Sequence, residues 1–138
     1  FAGSIWNIDL QGTYVKENTF APGQGGTDDR GSIPRIVANA NISVDWEQWD
    51  ARWGIRYIHG TKDPRFDGNN VLNYDGPPSH TEHDMRVSYN WDRYRMTFGV
   101  NDIFDNDPPY VFSTGNNTDL FLYNAIGRYM FLRFNATL

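Results

Sequence analysis

The sequence predicts an all-β fold, about six antiparallel strands that form one segment of a transmembrane β-barrel. Three observations predict it. Apolar and polar residues alternate over stretches of about ten residues, the period of strands with two unlike faces. Two connections are two-residue turns, whereas the other three are long and rich in Gly, Asn, Asp and Pro. Trp and Tyr flank the short turns, where an apolar body with a polar edge suits a membrane interface.

The first strand sets Trp6, Ile8, Leu10, Gly12 and Tyr14 against Asn7, Asp9, Gln11 and Thr13. The second sets Ile36, Ala38, Ala40, Ile42, Val44 and Trp46 against Asn39, Asn41, Ser43 and Asp45. In the third, Trp49, Ala51, Trp53, Ile55 and Tyr57 oppose Asp50, Arg52, Gly54 and Arg56. In the fourth, Met85, Val87, Tyr89 and Trp91 oppose Glu82, Asp84, Arg86, Ser88 and Asn90. The fifth sets Tyr94, Met96, Phe98 and Val100 against Arg95, Thr97, Gly99 and Asn101. The last sets Met130, Leu132, Phe134, Ala136 and Leu138 against Arg133, Asn135 and Thr137. The short turns are Glu47-Gln48 and Asp92-Arg93, as tight hairpins allow. The long connections run over about 16–32, 60–80 and 106–124.

Composition narrows the class further. A chain of 138 residues with no compositional break makes one domain unit, 1–138. A formal net charge of -5 gives no nucleic-acid footprint, and the absence of cysteine excludes disulfides and thiolate metal sites. Mean hydropathy is -0.63, and no apolar run approaches the roughly 20 residues of a spanning helix. Barrel strands escape that test because their alternation hides the apolar face.

Alternation alone leaves open which face is outward, since a soluble sandwich buries its apolar face against a second sheet. Lipid outside is favoured by mid-strand charges on the polar face (Asp9, Asp45, Arg52, Arg56, Arg86, Arg95) and by the aromatic strand ends. Strands of about ten residues also suit a tilted bilayer crossing, whereas soluble strands average about five or six. Short turns on one side and long loops on the other repeat the asymmetry of outer-membrane barrels.

The stretch Tyr94-Arg95-Met96-Thr97-Phe98-Gly99-Val100-Asn101-Asp102-Ile103-Phe104-Asp105, with Pro108-Pro109 after it, resembles the penultimate strand of TonB-dependent outer-membrane receptors, commonly G-V-N-N-L-F-D. Here Asp102 and Ile103 replace the usual Asn and Leu. Asn124-Ala125-Ile126-Gly127-Arg128-Tyr129 resembles the start of that family's closing strand. Ile33-Pro34-Arg35, leading into Asn41-Ile42-Ser43-Val44-Asp45-Trp46, resembles an earlier strand of the same barrels. The resemblance implies a barrel of about 22 strands with an amino-terminal plug in its lumen. Six strands cannot close that wall, and open edges are not viable in hydrocarbon. This chain is therefore expected to be the carboxy-terminal part of a receptor, with plug and TonB-binding segment upstream. Implied partners are the lipid bilayer and lipopolysaccharide, the plug, the TonB–ExbB–ExbD machinery and a small extracellular ligand, most commonly an iron–siderophore complex or another metal chelate, with cobalamin, other metals and saccharides also open. The implied place is the outer membrane of a Gram-negative bacterium, with the three long loops extracellular. No cofactor is expected.

No Ser/His/Asp constellation, phosphate loop or nucleophilic Cys supports an enzyme. Phe66, Tyr74, Tyr110 and Phe112, aromatics of the long loops, are the ligand-contact candidates. Asp102, Asp105 and Asp107 lack the spacing and bidentate Glu of a calcium loop and read as a strand end turning into a loop. Asp63–Asn70 and Asp75-Gly76 read as turn chemistry. His80 and His83, three apart on a strand, fall on opposite faces and so do not make a metal pair; they and His59 read as loop-base residues. Asn41-Ile42-Ser43, Asn116-Asn117-Thr118 and Asn135-Ala136-Thr137 match glycosylation sequons that a bacterial outer membrane does not use. Arg52, Arg56, Arg86, Arg95 and Arg133 are expected to pair with acids such as Asp50, Glu82 or Asp84, or else to hold an anion or the plug. The competing class is a secreted β-sandwich that binds carbohydrate through exposed Trp and Tyr.

Overall fold

The computed structural model describes residues 3–16, 33–61, 76–111 and 117–137. They form six strands: β1 (Ile5–Tyr14), β2 (Ile36–Trp46), β3 (Trp49–Ile58), β4 (His80–Trp91), β5 (Tyr94–Asn101) and β6 (Tyr129–Ala136). All belong to one sheet in sequence order, every neighbour antiparallel. The structure agrees with the alternation to within a residue or two at most strand ends.

Register keeps the two faces continuous. On the apolar face Ile8 lies opposite Ile42, Ile42 opposite Trp53, and Trp53 opposite Met85. The same row continues as Met85 opposite Val100 and Val100 opposite Met130. A slip of one residue at any pairing would turn a whole strand over. The hairpin turns hold this register: Glu47 and Asp92 sit at φ of 51° and 52°, the left-handed geometry at the first turn residue that matches strand twist. Trp46 then faces Trp49, and Trp91 faces Tyr94 with ring centroids 5.0 Å apart.

The apolar face is bare. Leu10 is 75% exposed, and Trp6, Ile8, Met96, Phe98, Met130, Leu132 and Phe134 are all exposed large apolar side chains. A soluble monomer rarely shows a contiguous apolar patch beyond a few hundred Å². Among the described residues no second sheet covers this face, which removes the layer that a sandwich requires. The buried residues lie elsewhere. Ser88, Thr97, His80 and Ile58 are on the polar face, and Val111 and Tyr123 come from the connection between β5 and β6. The sheet is thus inside out relative to a soluble domain.

Candidate functional site

The polar face is held by cross-strand polar bonds. Arg95 donates to Asp50 across β4, with Nη2 2.8 Å from the carboxylate, and to Ser88 Oγ at 3.2 Å. Ser88 and Thr97 hydroxyls share a buried bond of 3.0 Å. Arg56 pairs with Glu82 at 3.7 Å, and Glu82 also meets His80 Nε2 at 3.2 Å. Two of the expected arginine pairings, to Asp50 and to Glu82, are therefore present. Asp84 does other work: its Oδ1 accepts the backbone N–H of Asp102 at 2.9 Å.

The remaining arginines differ. Arg52 lies directly opposite Arg86, and both are exposed. Neither makes an ion pair among the described residues. Arg133 instead sits over the Phe131 ring at 5.9 Å, within the usual cation–π distance. Phe131 in turn covers Gly99, its cross-strand partner, so closely that a Cβ at Gly99 would overlap the ring. A groove of about 580 Å³ lined by Asp9, Asp45, Asp50, Arg52, Arg86 and Arg95, among others, runs along this face. Adjacent unpaired guanidiniums repel each other and are relieved by a carboxylate or phosphate that bridges them.

At the loop end the chain folds over the polar face. Ile58, Val111 and Tyr123 form a buried cluster with Leu122 packed against it, and Tyr123 meets His80 edge-on at 5.4 Å. Burial of Val111 leaves its neighbour Tyr110 64% exposed, so this candidate contact residue is presented outward. Phe66, Tyr74 and Phe112 lie outside the described residues, as do Asp63–Asn70 and Asp75. An outward aromatic that sequence reasoning missed is Phe121, at 97% exposure. Buried Asp119 builds its turn. The carboxylate accepts the Phe121 N–H at 2.9 Å, and the Asp119 carbonyl accepts from Leu122 and Tyr123. Asp followed two residues later by an aromatic is the local signal, an Asx-type turn.

The acidic run after β5 is a clamp. Asp102 and Asp105 take φ of 47° and 56°, so the strand stops and turns; Asp102 is buried, as a lipid-facing carboxylate could not be tolerated there. Asp105 N–H donates to Asp102 O, and its own Oδ1 accepts the Arg128 N–H at 2.8 Å. Its Oδ2 lies 3.5 Å from the Arg128 guanidinium. The turn after β5 is thereby tied to the start of β6. His80 and His83 do fall on opposite faces: His80 pairs with Ile58, whereas His83 accepts from Trp53 Nε1 on the apolar side at 3.2 Å and packs edge-on to Phe104. His59 meets the Tyr57 hydroxyl at 3.1 Å.

A single sheet, bare and apolar outside and charged inside, with aromatics at its turn end, defines the wall of an outer-membrane β-barrel. The family described as TonB dependent receptor-like, beta-barrel, matches residues 1–103. The chain belongs to this family, which is one of outer-membrane transport receptors. The match spans β1 to β5 and ends at Ile103, within the stretch that carries the sequence resemblance. No curated protein and no solved structure matched the chain.

Proposed function

We propose that this chain is the carboxy-terminal barrel segment of a receptor that imports an iron–siderophore complex or a comparable metal chelate. Family membership supports TonB-dependent transport across the outer membrane. The observation that carries the segment reading is the pair of sheet edges, since among the described residues β1 and β6 each pair on one side only. Unpaired backbone groups cannot face hydrocarbon, so further strands of a barrel of about 22 must adjoin both. The plug lies upstream in this reading and fills the lumen against the polar face, where Arg52 and Arg86 take its carboxylates. The loop end is extracellular, and Tyr110 and Phe121 contact the ligand there together with Phe66, Tyr74 and Phe112.

The test is uptake of radiolabelled iron, offered as hydroxamate, catecholate or citrate chelates, by cells with and without the intact receptor gene. Receptor-dependent uptake of at least one chelate, abolished by a proton uncoupler, is the expected result. Uptake of every iron chelate that ignores both the gene and the uncoupler would sink the iron assignment.

A further inference from the structure

Three tryptophans on the lipid-facing side do not lie on a flat surface. Trp6, Trp46 and Trp49 surround Val44 and Ala51 and enclose a notch of about 360 Å³ lined by these five residues. Register produces it. Trp6 lies opposite Val44, Val44 opposite Ala51, and Trp46 opposite Trp49, so small side chains sit among large ones on one face. The walls are braced from outside the notch: Trp6 Nε1 donates to Ser4 Oγ at 3.1 Å, and Trp49 packs on Tyr89 with centroids 4.7 Å apart. The volume falls in the range of small-molecule sites, yet the lining contains no charged group and no hydroxyl.

We propose that this notch binds one acyl chain of a phospholipid and retains it. The occupant follows from continuity with an interface already defined. The notch opens on the apolar band that the barrel presents to hydrocarbon, at the turn end where Trp marks the membrane boundary. Apart from indole N–H groups, the lining side chains offer a polar ligand no donor, acceptor or charge in exchange for its hydration. Lipid tails are as apolar as the wall, so burial alone does not hold a chain in a bilayer. What distinguishes the notch is its concave shape, since a chain enclosed by three indoles gains dispersion contacts on several sides. A flat stretch of wall touches a chain on one side only. The acyl chain is the bound group in either phosphatidylethanolamine or phosphatidylglycerol, and the headgroup is left at the Glu47-Gln48 turn.

The inference rests on the membrane-embedded barrel, not on ligand import. The experiment is native mass spectrometry of the whole receptor, extracted into detergent from vesicles of phosphatidylethanolamine and phosphatidylglycerol. Wild type is expected to keep one phospholipid, of either headgroup. Ala51→Phe and the milder Ala51→Leu fill the notch while adding only apolar bulk to a lipid-facing surface. Loss of about ten close carbon–carbon contacts lowers retention in detergent by roughly tenfold. Val100→Phe, on the same face but away from the notch, should retain lipid as wild type does. Equal retention by both Ala51 variants and wild type overturns the proposal, as does selective retention of one headgroup. A heat-dependent gel shift run on the same samples separates the two readings. Its absence from the wild type would refute the barrel itself; its presence in the variants ties lost lipid to the notch.

Discussion

The two ends of the sheet are stabilised by different partners. At the turn end the aromatic residues Trp49, Trp91 and Phe134 remain exposed, and regular ladder pairing continues to the last residue. At the loop end the chain makes its own burial: Ile58, Val111 and Tyr123 pack together, and Asp102, Asp119 and His80 are enclosed. The difference follows from where each end lies in a barrel. Trp and Tyr at the turn end are covered by the membrane interface. Loops that leave the hydrocarbon meet water, and they order themselves only by covering apolar side chains and satisfying backbone groups. The turn end should therefore respond to lipid and detergent, and the loop end to its own side chains.

The largest effect is expected where the wall meets lipid. Phe98→Arg, at mid-strand on the apolar face, should destabilise the folded receptor by about 2–4 kcal/mol. Urea titration in vesicles, followed by gel mobility, reads it; a midpoint unchanged from wild type would mean that this face is not toward lipid. Ile58→Ala comes next, at about 2 kcal/mol, because the cluster it serves is thin and can partly collapse. Its effect should be local, with faster protease cleavage between β5 and β6 while the heat-dependent gel shift persists. Loss of the gel shift instead would show that the loop end and the wall are one cooperative unit. Asp105→Ala should be smallest, about 1 kcal/mol, since the pair with Arg128 is half exposed and one backbone hydrogen bond is lost. Amide exchange at Arg128 is the sensitive probe, and protection equal to wild type would remove the clamp from the account.

Much of this was legible in the sequence for a local reason. The alternation in Ile36–Trp46 needs only neighbours two apart, and the Glu47-Gln48 turn needs only its flanking tryptophans. Opposite charges on one face pointed to Asp50 and Glu82 as arginine partners, but not to Arg95 as the one that reaches Asp50 across β4. The site was less legible. Phe121 stands out because Asp119 shapes its turn, while Tyr110 could be named simply as a loop aromatic. The carboxylates after β5 could be excluded as a calcium loop from their spacing, but their use as a clamp could not be read from it. Asp105 reaches Arg128 across 23 residues.

Local periodicity by itself determined the strands, their two faces and the short turns, because side-chain direction in a strand depends only on parity. Tertiary structure decided what meets across strands. Whether Arg52 faces an acid or Arg86, and whether Phe131 covers Gly99, depends on register between segments dozens of residues apart. The notch among Trp6, Trp46 and Trp49 arises in the same way, since its walls come from three strands. Each residue declares its face, but only the paired sheet supplies its neighbour.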